Sequence, residues 1–275
     1  MKIAVVAPAR AIDPVVAARA GAFAAIAYPE VDLVFHPQCF ASDGHFAGSD
    51  AVRAAALLEV ANDPGVGAVW FARGGYGSNR ILSAVMPHLG PAARDKAYVG
   101  YSDMGFLLAA LYARRIGRPV HGPMATDINR TKGDETVART LGWLVRRDRQ
   151  GLEPTLAGAG EGQPAAAFNL AILQALVGTP WLPDLTDHVL MIEEVSEPLY
   201  NVDRMLFTIA HATQLKGVAG VRLGIVNDIQ ANDPPWDETL EAMMDRWCRE
   251  MGVPYLGRAE IGHAQSNRVV PFGIA

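Results

Sequence analysis

Four short apolar runs punctuate the first part of the chain: Ile3–Ala7, Val31–Phe35, Ala68–Ala72 and Ala97–Gly100. Each is followed by a stretch with helical spacing of its apolar residues, namely Pro14–Ala27, Asp50–Asn62, Ser78–Met86 and Met104–Arg115. Strands that each return through a helix lie parallel, and a parallel sheet is covered by helices on both faces. In an open sheet of this kind ligands bind beyond the carboxyl ends of the strands, so functional residues are expected there. With 275 residues, 50% of them hydrophobic, the chain can bury a large core and is expected to divide into two domains.

The composition changes at Gly158-Ala159-Gly160-Glu161-Gly162-Gln163-Pro164, where Gly, Pro and Ala crowd together. A crossover linker over 151–164 is expected there, between a domain at 1–150 and a second at 165–275. In the second domain the pattern predicts a helix at Ala165–Val177, a strand at Val189–Glu193 and a helix at Asp203–Gln214. A strand at Val218–Asn227, a helix at Glu238–Met251 and a strand-like Val253–Leu256 complete it.

A net charge of −5, with no Lys/Arg-rich segment, argues against nucleic acid as a partner. The two cysteines, Cys39 and Cys248, lie far apart with no second Cys or His at metal-ligand spacing. They read as reduced thiols of a cytoplasmic protein, and no metal or cofactor is expected. The apolar start is short, broken by Pro8 and followed by Arg10, which suits a first buried strand rather than a signal peptide. No apolar run is long enough to span a membrane.

Ser102 stands at the end of the run Ala97–Gly100 and directly before a helical stretch. A strand-to-helix turn there presents a hydroxyl at the sheet's carboxyl edge beside the free N–H groups of a helix start. Taken alone, Ser102 also suits an N-cap. A partner acid is available in Glu193-Glu194, which end the apolar run from Val189; only one of the two easily faces the cleft, because neighbours on a strand point to opposite sides. A solvated strand end is the other reading of that pair. His263, in Glu260-Ile261-Gly262-His263, completes an order Ser, acid, His of Ser102, Glu193, His263. The same order recurs in hydrolases built on open α/β sheets.

The second motif is Arg73-Gly74-Gly75-Tyr76-Gly77, which closes a strand and opens a helix. Its glycines let backbone N–H groups approach a ligand without Cβ obstruction, as an oxyanion hole or a phosphate cradle requires. It matches neither the phosphate loop nor the dinucleotide fingerprint. Arg73, with Gly74 and Tyr76 beside it, reads either as a cation for an anionic group of the substrate or as a structural arginine.

These pieces stand in one order with Gly100-Tyr101-Ser102-Asp103, His121-Gly122-Pro123, Gly178-Thr179-Pro180, the run from Glu193 to Leu206, and Gly262-His263 with Asn267, Pro271 and Gly273. Together they resemble the LD-carboxypeptidase family of serine peptidases over nearly the whole chain. The resemblance implies a flavodoxin-like N-terminal domain with a parallel sheet and flanking helices, and a smaller C-terminal α/β domain rich in β-strand. It implies Ser102 as nucleophile, His263 as base and Glu193 as acid, with the N–H groups of Gly75 and Asp103 as oxyanion hole. The implied reaction is hydrolysis of the amide between the L-centre of meso-diaminopimelate and the terminal D-alanine of murein tetrapeptides, in cytoplasmic cell-wall recycling. A homodimer is implied as well. The alternatives are a microcin C-type immunity hydrolase acting on peptide-nucleotide amides, and a non-catalytic peptide-binding protein.

Two departures bear on the substrate. Ala165-Ala166-Ala167-Phe168 precedes Asn169 where the family more often has paired glycines, and Gly105 stands where relatives usually carry Thr or a larger residue.

Overall fold

The computed structural model describes residues 1–157 and 162–273, so the centre of the expected linker, 158–161, lies outside the described residues. Its strands are β1 Lys2–Val6, β2 Asp32–Phe35, β3 Ala68–Phe71, β4 Ala97–Gly100, β5 Arg118–His121, β6 Ala165–Asn169, β7 Val189–Val195, β8 Gly220–Asn227, β9 Tyr255–Arg258 and β10 Val270–Pro271. Its helices are α1 Pro14–Ala27, α2 Asp50–Asn62, α3 Leu82–Val85, α4 Gly105–Ala113, α5 Gly133–Arg146, α6 Pro154–Ala157, α7 Leu170–Leu176, α8 Leu199–His211 and α9 Leu240–Met251.

The first sheet has the order β10-β5-β4-β3-β1-β2. Its first five strands are parallel in the flavodoxin-like order 2-1-3-4-5, and β10 joins the edge antiparallel to β5. The second sheet, β6-β7-β8-β9, is parallel throughout. The expected α/β class with a flavodoxin-like first part is therefore what the chain forms. Helix starts follow local chemistry: Asp13 accepts the Val15 N–H ahead of Pro14, Ser49 caps α2, and Thr239 caps α9.

One apolar core runs from the α2–α4 side of the first sheet to α7–α9 on the second, so that Leu107 and Phe168 belong to the same cluster. A second core packs α1 and α5 on the opposite face of the first sheet.

The helix expected at Ala165–Val177 is not formed as such. Residues Ala165–Asn169 are a buried strand, and only Leu170–Leu176 is helical. The run is built from residues with strong helix propensity, but its backbone pairs with β7 on one side and is bridged to Gly273 on the other. Small side chains suit that crowded position, so tertiary pairing overrides local preference. The strand anticipated at Val253–Leu256 is displaced to Tyr255–Arg258, and Ser78–Met86 is a tight 3-10 turn followed by the short α3.

Candidate active site

β4 delivers Ser102 to the carboxyl edge of the first sheet. After it, Tyr101 is extended, and Ser102 takes φ of +59° at the start of a single 3-10 turn that leads into α4. A left-handed conformation costs a non-glycine residue on the order of 1–3 kcal/mol and persists only where its surroundings hold it. Both neighbours do so. Tyr101 is buried and donates its hydroxyl to Asp127 Oδ1 at 3.1 Å. The buried Asp103 carboxylate accepts from the N–H groups of Gly77 at 3.3 Å and Ser78 at 2.9 Å, and its carbonyl accepts from Ser78 Oγ at 2.6 Å. Burial raises the Asp103 pKa above the usual carboxylate range against these hydrogen bonds. The Ser102 hydroxyl caps neither the turn nor α4, so the N-cap reading of this residue is set aside.

The glycine loop follows β3 and lies over that turn. A Cβ on Gly74 would stand 3.0 Å from both Cβ and Oγ of Ser102, so a side chain there would crowd the hydroxyl. Gly75 has φ of +120° and Gly77 of +128°, conformations that side chains rarely adopt. Among the described residues the N–H groups of Gly75 and Asp103 have no protein acceptor. The Arg10 side chain packs against Gly75, where a Cβ would meet its Cδ at 2.5 Å. Arg73 is half-buried, its guanidinium pKa lowered by burial and by the nearby Arg10 charge, and it donates to the Ala11 carbonyl at 3.4 Å. Tyr76 is exposed and stands 6.2 Å, centroid to centroid, from the rings of both His45 and Phe46.

The acid and the imidazole come from the second sheet. A register shift between Ile192 and Glu194 breaks the even pairing of β7 with β8, and the two glutamates go to different places. Glu193 is fully buried, and its Oε2 lies 2.8 Å from His263 Nδ1, whose side chain is 15% exposed. Gly224 on β8 and Gly262 before the histidine make room, since a Cβ on either would come within 3.0 and 3.3 Å of Glu193 Cβ. Glu194 is buried too and is not a solvated strand end. It accepts from Asn169 Nδ2, Ala171 N and Val195 N, each at 2.8 Å, and so ties β7 to the start of α7.

Burial disfavours the His263 imidazolium, but the charge and hydrogen bond of Glu193 outweigh it, so His263 titrates above the ordinary value of 6.5. The neighbouring His121 is fully buried, held to Asn267 at 3.2 Å and pushed down to about 4, chiefly by that burial, so it is neutral at physiological pH. Tyr101 joins the two halves of the site: its ring centroid is 4.9 Å from that of His263, and it immediately precedes Ser102.

Sequence reasoning missed Asp127 and Arg130, which adjoin this cluster from a segment without apolar periodicity, and Asn227, the last residue of β8. Arg204 pairs with Asn201 on the same helix and stacks on Tyr200, a local role. Among the described residues there is no group of three metal-ligating side chains, and no helix is long and apolar enough to cross a membrane.

The chain matches the LD-carboxypeptidase N-terminal domain over residues 3–122 and the LD-carboxypeptidase C-terminal domain over residues 165–275. A Streptomyces coelicolor protein assigned as a carboxypeptidase is 35% identical over 237 residues, 84% of this chain and 74% of the relative. The murein tetrapeptide carboxypeptidase of Pseudomonas aeruginosa is 26% identical over 251 residues, 83% of this chain and 78% of that protein. The crystal structure of muramoyltetrapeptide carboxypeptidase from Oxalobacter formigenes has the same fold, with a TM-score of 0.79 at 22% identity over 99% of this chain and 93% of that one. With both parts of one family's pattern matched in order along the sequence, the chain belongs to the LD-carboxypeptidase family and is a serine-type carboxypeptidase.

Proposed function

We propose that the protein hydrolyses the amide between the L-centre of meso-diaminopimelate and the terminal D-alanine of murein tetrapeptides. The observation that carries this reading is the 2.8 Å contact of Glu193 with His263 Nδ1, which leaves Nε2 as the ring nitrogen to accept a proton, while the ring of Tyr101, the residue before Ser102, lies 4.9 Å from that of His263. Glu193 fixes that tautomer and favours the imidazolium that forms when His263 takes the Ser102 proton. Ser102 Oγ attacks the scissile carbonyl, whose oxygen becomes negative beside the unpartnered N–H groups of Gly75 and Asp103. Each such donor is worth roughly 3 kcal/mol in comparable sites. The imidazolium then protonates the leaving D-alanine nitrogen, and water, deprotonated by His263, releases the acyl group from Ser102.

In this reading residues 1–150 supply nucleophile and oxyanion donors, residues 165–275 supply Glu193 and His263, and 151–164 join the two. Arg73, with Gly74 and Tyr76, receives the terminal carboxylate; the charge and half-buried position of Arg73 support that role. A cytoplasmic setting is supported by Cys39 and Cys248, both buried as free thiols. A homodimer rests on the family resemblance, and sedimentation of the intact chain tests it.

A second reading, hydrolysis of a peptide-nucleotide amide of the microcin C type, is favoured by one feature, the exposed Tyr76 with His45 and Phe46 beside the glycine loop, a surface on which a base can stack. Mass spectrometry of D-alanine release separates the two. Release from a murein tetrapeptide but not from its all-L analogue, lost in Ser102→Ala, is the expected result. A wild type that leaves the tetrapeptide intact and cleaves an aminoacyl-nucleotide conjugate would replace the first reading with the second.

A further inference from the structure

The guanidinium of Arg130 bridges the two halves of the site without belonging to the triad. Its Nη1 donates to the backbone carbonyl of His263 at 3.1 Å, its Nη2 to the Tyr101 hydroxyl at 3.3 Å and its Nε to Asp127 Oδ1 at 2.6 Å. Tyr101 donates to the same Asp127 oxygen at 3.1 Å, which closes a ring of three side chains. The other Asp127 oxygen accepts the Met124 N–H at 2.8 Å, so the ring is anchored to the backbone after β5. Asn227 from β8 supports the His263 carbonyl from a second direction, at 3.4 Å.

We propose that Arg130 is a positioning residue that fixes the Ser102 turn against the His263 imidazole and sets the charge that imidazole faces, with Asp127 and Tyr101 as its supports. This inference rests on the Ser102–His263–Glu193 reading above. The geometry requires a planar fork: three acceptors in three directions are held at once, which an ammonium on a flexible stem does not reproduce. A displacement of about 1 Å between nucleophile and base costs on the order of 10²-fold in rate.

The charge surroundings make a second, separable demand. The groups that face His263 are Glu193 from β7, Tyr101 after β4, His121 at the end of β5, and Asp127 with Arg130 from the segment before α5. His121 is neutral, so Arg130 is the cation of this set and opposes the two carboxylates. Removing it leaves both carboxylates acting on the imidazolium, and His263 then holds its proton to higher pH.

The test is the pH dependence of Ser102 labelling by a fluorophosphonate on the full chain, a reaction that needs the serine and its base but no murein peptide. In it Ser102 Oγ bonds to phosphorus, fluoride leaves and the serine proton passes to His263. Arg130→Ala is expected to label on the order of 10²-fold more slowly at its plateau, with the acid limb moved to higher pH. Arg130→Lys is expected to label more slowly than wild type with the limb in place, because the charge is kept and the fork is lost. An unmoved limb or a wild-type plateau in Arg130→Ala would overturn the proposal. If that variant does not fold, wild-type labelling by Arg130→Lys overturns it equally. A wild type that does not label at Ser102 would sink the triad and this inference together, whereas one that labels normally but releases no D-alanine would sink only the murein reading.

Discussion

Glu193 and His263 are 70 residues apart in the chain, yet Oε2 of the one lies 2.8 Å from Nδ1 of the other. The contact is made where β7 ends and where the chain turns after β9, both at the carboxyl edge of the second sheet. Parallel strands deliver all their ends to one side, which is how distant segments meet without long loops.

The pair gives opposite pH signs to rate and stability. His263 acts as base only when neutral, so with its pKa above 6.5 the acid limb of kcat/KM is expected above that pH. For stability, a group whose folded pKa exceeds its unfolded one contributes fully below the unfolded value and loses that contribution as pH rises through the folded value. The gap in urea midpoint between wild type and His263→Gln is therefore expected to narrow from pH 6 to pH 8, and a gap that widens would contradict the pairing.

The two adjacent glutamates are expected to fail differently. Glu193→Gln should lower kcat by on the order of 10³–10⁴-fold, since it loses the charge that orients His263, with little change in Tm at a pH above the His263 pKa, where the pair adds no stability. Glu194→Gln should cost about 1–3 kcal/mol in stability, because an amide cannot accept all three N–H donors that meet the carboxylate. Steady-state rates and denaturant melts of the two variants decide this; the reverse pattern would assign the acid to Glu194.

Gly74→Ala isolates the openness of the hydroxyl. The new methyl would stand 3.0 Å from Ser102 Oγ, while Gly74 itself has no positive φ to strain. A fall of about 10- to 100-fold in kcat/KM, equivalent to roughly 1–3 kcal/mol in the barrier, is expected, together with some loss of Tm from the same crowding. Full activity in this variant would show that the loop moves aside.

Gly105 is a packing position at the start of α4. A Cβ there would come within 3.0 Å of Ile172 Cγ2 and 3.6 Å of Phe168 Cδ1. Gly105→Thr is expected to destabilise by about 1–3 kcal/mol through overpacking, and Ile172→Ala in the same chain to recover part of it. Additive losses in the double-mutant cycle would refute the contact. Gly105 thus meets the Ala165–Phe168 run in space, with a small residue on one side facing a ring on the other.

Several strands and helices of the first part were legible because uniform apolar runs and capped helices say the same thing locally: Pro14–Ala27, Asp50–Asn62 and Ala97–Gly100 have the bounds their patterns predict, whereas β5 and α5 were not anticipated. β6 was not, since nothing local tells an alanine run that it will pair with β7 on one side and be bridged to Gly273 on the other. The meeting of Glu193 with His263 follows the order in which the sequence offered an acid and then a histidine, the acid at the end of an apolar run. Arg130 and Asp127 gave no such sign, because their importance lies in acceptors up to 133 residues away.

β10 brings the last described part of the chain back to the first sheet. Phe272 N donates to the Pro119 carbonyl, while Ala165 and Gly273 exchange both of their backbone bonds at the start of the second sheet. The segment that follows His263 is thereby stitched into both sheets. A hinge that swung His263 away from Ser102 would have to tear that seam, so the two halves are held to one another by the very strand that closes the chain.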